Sequence, residues 1–285
     1  MRRGLLWTLM VVMVAVPAFG GSIAAPDLGT AISFGMLGDT ISNTGESKVV
    51  GYVGATTTIT GFGPPVGPGI ATLGAFYTAP NVPGSTVGMA FTDFETAFDT
   101  AFSDALTPHT QTVGDLTGNR TFYGNNVYQF TSTDVTSTAD ITLTFDAGGD
   151  SSNVFIIRIP EDLTINGPLT FDLINEAQWR NIYWIVGRTA SITAVTVPQT
   201  FEGSILAGTS FTIAANNGGS GVLGGTIDGC VFVETANTLG GKTYINGCNA
   251  AAAPIPEPGS SGLVALGCLL GALRLRKFRF VRRTR

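Results

Sequence analysis

The chain has 285 residues, 44% of them hydrophobic and only 12% charged, with 38 glycines and a formal net charge of −5. The charge is unevenly spread: two basic residues stand in the first three and seven lie beyond Leu273, so positions 26–250 keep six basic against nineteen acidic residues, a net charge of −13. Such a surface repels nucleic acid and anionic lipid, which argues against a nucleic-acid-binding role, while the length suffices for one large domain with a real core.

In chain order, Met1-Arg2-Arg3 precedes an apolar run from Leu5 to Val16 and then small residues, with Ala18-Phe19-Gly20 or Ser22-Ile23-Ala24 as the cleavage site. That order of basic, apolar and small predicts a secretory signal over residues 1–25, removed by signal peptidase. The run is short for a retained membrane anchor, the alternative, because a bilayer crossing takes about 20 residues.

Positions 26–250 read as a single domain rich in Gly and Thr. Thr suits strands because its branched Cβ fits a pleated surface, and Gly suits tight turns. One segment breaks this β rhythm. Phe91, Phe94, Phe98, Ala101, Phe102 and Ala105 recur at three- and four-residue steps, with Thr92, Asp93, Glu95, Asp99 and Asp104 on the other side. The pattern predicts an amphipathic helix over about 88–106 that packs its phenylalanines on a sheet, carries acidic residues in its first turn and ends before Pro108. Ile141-Thr142-Leu143-Thr144-Phe145 alternates as a half-buried strand, whereas Val154-Phe155-Ile156-Ile157 and Ile182-Tyr183-Trp184-Ile185-Val186 are continuous apolar runs and predict strands buried on both faces. The strand spacing suits a sandwich, a barrel or a solenoid without choosing among them.

Cys230 and Cys248, eighteen residues apart, are the cysteines of this domain, the third being Cys268. In an oxidising compartment they are expected to form a disulfide, with two buried free thiols as the alternative.

Toward the C terminus, Pro256-Glu257-Pro258 is followed by Gly259-Ser260-Ser261, an apolar run from Gly262 to Leu273, and the basic residues Arg274 to Arg285. A short membrane helix over 262–275 with a cationic stop would keep its positive end in the cytoplasm. The whole of 251–285 resembles the Pro-Glu-Pro C-terminal (PEP-CTERM) sorting signal of Gram-negative bacteria. The resemblance implies a transient inner-membrane anchor, processing by an exosortase-type peptidase, and release to the cell surface or beyond.

The domain itself resembles a family. Leu28 to Leu37, Ile41-Ser42-Asn43-Thr44-Gly45, Val49 to Gly54 and Thr60-Gly61-Phe62 are similar to its opening coils. Leu116 to Tyr128, Asp146 to Ile157, Asn181 to Gly187 and Thr200 to Ala207 are similar, in order, to its later strands. The family is that of the microbial ice-binding proteins of the DUF3494 type and their ice-binding-like relatives. It implies a mostly β fold: a right-handed discontinuous β-solenoid of triangular section, with N- and C-terminal coils side by side and one long α-helix packed alongside.

Catalytic chemistry finds little support. His109 has no partner at metal-ligand spacing, and there is no zinc-protease motif or nucleophile elbow. Glu161 and Asp162, adjacent in a strand, would face opposite ways. Asp146 and Asp150 read as turn caps before calcium ligands. No enzyme activity, cofactor or metal is therefore expected. Binding rests on threonine, which offers a hydroxyl beside a methyl on a stiff χ1. Stacked coils repeat such groups at about 4.8 Å, and a flat, weakly charged face of this kind holds ordered water that merges with an ice lattice. Thr193-Ala194-Val195-Thr196 resembles the family's ice-binding pattern, and Thr56, Thr58, Thr60, Thr209 and Thr212 are further candidates. The ice or ordered-water surface is the expected partner. The alternative is a surface or matrix protein without ice activity, with exopolysaccharide as its partner.

Overall fold

The computed structural model describes residues 22–63, 68–72, 76–78, 86–103, 109–193, 199–214 and 223–248. After a short 3-10 helix (Gly29–Ser33) come β1 (Phe34–Asn43), β2 (Lys48–Val49), β3 (Tyr52–Thr60), β4 (Ile70–Ala71) and β5 (Phe76–Thr78). Helix α1 (Thr86–Phe102) and β6 (Thr110–Val113) follow. Then the chain winds in coils of three strands: β7 (Arg120–Tyr123), β8 (Asn126–Phe130) and β9 (Val135–Ser137); β10 (Ile141–Asp146), β11 (Phe155–Ile159) and β12 (Leu163–Ile165); β13 (Leu169–Ile174), β14 (Ile182–Val186) and β15 (Thr189–Thr193). Two more coils are β16 (Thr200–Glu202), β17 (Ser204–Ala207) and β18 (Ser210–Ala214), then β19 (Leu223–Asp228), β20 (Val231–Val233) and β21 (Ala236–Leu239), before a last strand β22 (Lys242–Ile245).

Each strand hydrogen-bonds in parallel to its counterpart one coil away, so the coils build a β-solenoid with three walls. The first wall runs β6-β8-β11-β14-β17-β20 and continues into the first half of β1. The second runs β9-β12-β15-β18-β21 into the second half of β1 and then β3. The third comprises β7-β10-β13 and β16-β19-β22-β2-β4.

The solenoid is discontinuous. The N-terminal coil stacks on the C-terminal one: Leu37 pairs with Phe232, Ser42 with Thr238 and Lys48 with Tyr244. Buried polar groups hold this seam. Asn237 Nδ2 donates to the Leu37 carbonyl at 2.6 Å, and Ser47 Oγ to that of Gly241 at 3.2 Å. Gly45 lets the two coils meet, since a Cβ there would overlap the Gly241 carbonyl, and one coil further on Gly61, at a left-handed φ of +76°, leaves room for the Asn43 carbonyl.

The two apolar runs behave as strands buried on both faces. Phe155, Ile157, Ile182, Trp184 and Val186 point into the solenoid. Val154, Ile156, Tyr183 and Ile185 point out and are covered by α1. On the helix Phe91, Phe94, Phe98 and Ala101 are buried in this second core, with Phe94 edge-on to Phe232 of β20 at 5.9 Å. Burying one such ring is worth about 1.5–3 kcal/mol.

The expected helix bounds need correction. The helix starts at Thr86, so its first turn holds no acidic residue. Asp93 lies further along and accepts bonds from the Thr30 backbone N–H and hydroxyl at 2.7 and 2.6 Å, tying the helix to the 3-10 turn. Its end is set by packing: Arg158, 2% exposed on β11, donates from Nε to the Ala101 carbonyl at 2.6 Å. Residues 104–108, with the expected stop at Pro108, lie outside the described residues.

A disulfide joins Cys230, at the start of β20, to Cys248, just after β22. It encloses the strands that receive the N-terminal coil. Replacing both cysteines by alanine is expected to cost about 3 kcal/mol, by loop-closure entropy, and to lower Tm by roughly 6–12 °C. An unchanged melting curve would contradict this. Among the described residues no helix is long and apolar enough to cross a membrane. The leader, the Pro256-Glu257-Pro258 motif and the expected span over 262–275 lie outside them.

Candidate functional site

The second wall is built from short rungs that alternate strictly. In Thr189-Ala190-Ser191-Ile192-Thr193 and Ser210-Phe211-Thr212-Ile213-Ala214, the second and fourth residues are buried and apolar, and the others look outward, all hydroxyl-bearing except Ala214. A strand places successive side chains on opposite faces, so this pattern alone fixes which side meets water.

The inter-strand register then aligns the outward positions. Thr136 of β9 pairs with Thr164 of β12, Thr164 with Ser191 of β15, Ser191 with Thr212 of β18, and Thr212 with Thr238 of β21. Across the seam Thr238 pairs with Ser42 of β1, and Ser42 with Thr60 of β3. The result is a column of seven consecutive rungs, each a threonine or a serine. Two residues earlier along the strands a second column reads Thr189, Ser210, Ala236, Thr40 and Thr58. Thr193 stands beside Ala214 on the opposite flank.

Rungs lie about 4.8 Å apart and columns about 6.7 Å. The seven-rung column contains no charged side chain, whereas the second is preceded in its row by Asp134 and Asp162, the latter accepting from the Thr189 N–H at 2.9 Å. Among the described residues, the hydroxyls of Thr136, Thr164, Ser191, Thr212, Thr238 and Ser42 make no hydrogen bond within the protein, leaving them to water.

The other walls differ. The first is covered by α1. The third presents charges and rings among its threonines: Thr121, Thr144 and Asp172 share one row, and Thr200, Thr226, Tyr244, Lys48 and Ile70 another. Glu202 belongs to this third wall, in register with Asp228.

Thr58, Thr60, Thr193 and Thr212 thus stand on the second wall. Thr56 does not. It is 8% exposed and donates its hydroxyl to Asp39, as does Thr57. A register irregularity between Gly38 and Thr40 turns β3 around a corner there, which breaks the alternation that placed Thr56 beside Thr58. These two bonds hold the Asp39 carboxyl below its ordinary value. Thr209 sits in the bend before β18, its N–H bonded to the Arg188 carbonyl at 2.9 Å, outside the columns. Thr196 lies outside the described residues. Thr136, Thr164, Ser191, Thr238 and Ser42 also stand in the column. Thr164 and Ser191 sit between two apolar neighbours, whereas Thr136, Thr238 and Ser42 each have one polar neighbour, Ser137, Asn237 and Asn43, that is buried.

The turn acids serve the backbone. Asp146 accepts from the Gly148 N–H and Asn175 Nδ2, each at 2.8 Å, and Asp150 from the Ser152 N–H and hydroxyl at 2.9 and 2.6 Å. Among the described residues no cluster has the makings of a metal site.

Glu202 is the most perturbed acid. Burial, then the neighbouring Asp228, pushes it from 4.5 up to about 7. Its pKa is higher folded than unfolded, so the folded state binds more protons between those values. Stability is therefore greatest below the unfolded value and falls as pH rises through about 7. Tm should drop between about pH 5 and about pH 8, and Glu202→Gln should flatten that slope. An equal slope in the variant would contradict the assignment.

The chain is a parallel β-solenoid with a flanking helix, a seam between its end coils and a column of hydroxyls on its second wall. Residues 36–246 match the family described as Ice-binding-like. An ice-binding protein of Nostoc sp. (strain HG1) is 30% identical over 276 residues, covering 94% of this chain and 93% of its own. Ice-binding protein K3-B1 of Typhula ishikariensis is 29% identical over 226 residues, covering 73% of this chain and 86% of its own. Among solved structures, an ice-binding protein from an Antarctic biological consortium superposes with a TM-score of 0.63 at 26% identity, covering 80% of this chain and 94% of its own. The DUF3494 domain of a Shewanella frigidimarina ice-binding protein gives 0.61 at 26% identity, covering 78% and 98%. The chain belongs to the ice-binding-like family.

Proposed function

We propose that this chain is an exported ice-binding protein that adsorbs to ice through its second wall, without turnover. The observation that carries the reading is the unbroken seven-rung hydroxyl column from Thr136 to Thr60. Each rung offers water a donor and an acceptor at a fixed repeat, and the five threonines add a methyl. A charged group would bind its own hydration shell and disorder the layer, and the seven-rung column has none. Trapped water is then held in a pattern that ice can continue.

The processing steps belong to the same reading. The leader over 1–25 is removed by signal peptidase. The tail with Pro256, Glu257 and Pro258 holds the chain transiently in the inner membrane until an exosortase-type peptidase frees it. The disulfide suits such an oxidising destination.

Purified chain should show thermal hysteresis and stop small ice crystals from coarsening at micromolar concentration. Absence of both would sink the ice reading in favour of a surface or matrix protein. The competing reading predicts that the chain stays with exopolysaccharide fractions instead.

A further inference from the structure

We propose, on the ice reading above, that Asp134 and Asp162 set the limit of the ice contact. Ice is held by the five rungs Ser191, Thr212, Thr238, Ser42 and Thr60, and Thr136 and Thr164 lie at its margin.

Leu163 pairs with Val135 on one side and Ala190 on the other, so the residues just before them, Asp134, Asp162 and Thr189, share a row. That row continues as Ser210, Ala236, Thr40 and Thr58, the second column. Each acid stands two residues before a hydroxyl rung, Thr136 or Thr164, hence on the same face and about 6.7 Å away. Asp134 is exposed and Asp162 half-buried. Among the described residues neither forms an ion pair; Arg188, at the same corner, is bound to Glu161 at 3.1 Å. One Asp162 oxygen accepts from the Thr189 N–H at 2.9 Å. In the next two coils the corresponding N–H groups, of Ser210 and Ala236, reach the carbonyls of Arg188 and Thr209 at 3.3 Å instead. The fold therefore closes this corner without a carboxylate, and what the acids add is charge.

An ionised carboxylate keeps its own water shell, because stripping an unpaired charge is costly. A lattice laid over Thr136 and Thr164 would have to displace that water or bend around it. From β15 onward the row holds Thr189, Ser210, Ala236, Thr40 and Thr58, so two neutral columns lie side by side over five rungs. These five straddle the seam, and the N-terminal coil supplies two of them, Ser42 and Thr60.

The test is inhibition of ice recrystallisation by the full chain and its variants, each checked for Tm. Asp134→Asn with Asp162→Asn keeps an acceptor for the Thr189 N–H and removes both charges. It should lower the concentration needed by about twofold or more. Asp172→Asn with Glu176→Gln, on the third wall and the turn after it, makes the same change in net charge and should leave that concentration at the parent value. Thr136 and Thr60 are the two terminal rungs, so tyrosine at either end disturbs one neighbouring rung. Thr60→Tyr should raise the concentration by about fivefold, and Thr136→Tyr by less than about twofold. Unchanged or weaker inhibition by the first pair with Tm retained, or an equal gain in the second pair, overturns the proposal. So does a loss in Thr136→Tyr equal to that in Thr60→Tyr, a comparison that stands even if the first pair fails to fold. A parent chain without inhibition fails the ice reading itself, and the proposal with it.

Discussion

Thr212→Tyr is expected to raise the concentration needed to stop ice recrystallisation by at least about tenfold, a loss near 1.4 kcal/mol of adsorption free energy. Thr212 is the middle rung of the seven, flanked in register by Ser191 and Thr238. Adsorption to a crystal face is cooperative in geometry: each hydroxyl contributes little, and all contribute only if they lie in one plane. A phenol ring at the centre lifts the neighbouring rungs away from the lattice and strips their shared water. Folding should survive, because Thr212 points outward and tyrosine suits strands. The control is Thr144→Tyr on the third wall, expected to leave activity and Tm near those of the parent. Equal losses in both variants would show a folding effect, and no loss in Thr212→Tyr would move the site off this column.

A large effect on stability is also expected at Arg158. Its guanidinium is buried between β11 and α1 and caps the Ala101 carbonyl. The end of a helix carries partial negative charge, so the cation is favoured there. Arg158→Met keeps the volume but leaves a buried carbonyl without its donor and breaks a charge-assisted bond. The loss should be about 1.5–3 kcal/mol, read as a shift in the denaturant midpoint with unchanged slope. Arg158→Lys retains the charge but not the planar fork and should fall between the two. A loss under about 1 kcal/mol in Arg158→Met would mean that the helix end is held by apolar packing alone.

These two residues illustrate what was legible in the sequence. The phenylalanine stripe announced a helix on a wall because 3.6-residue periodicity is local, and the runs around Phe155 and Trp184 announced strands buried twice for the same reason. Arg158, directly after one of those runs, gave no sign that it would finish the helix, since its partner Ala101 lies 57 residues away. The hydroxyl column was harder still. Its rungs are separate short strands, and Ser42 meets Thr238 only because the N-terminal coil closes on the C-terminal one. A single threonine among apolar neighbours is ordinary in any strand. Seven become a surface only through register. Where alternation was trusted across a bulge it misled, and Thr56 went to Asp39 instead of to the face.

The central claim is that the second wall, and neither of the others, meets ice. The most direct measurement is the partition of fluorescently labelled chain into a slowly grown ice hemisphere. Ser191→Tyr with Thr238→Tyr, on the second wall, should leave the ice dark. Thr144→Tyr with Thr226→Tyr, on the third, should leave it as bright as the parent. Bright ice from the first pair, or dark ice from a folded second pair, would contradict the account.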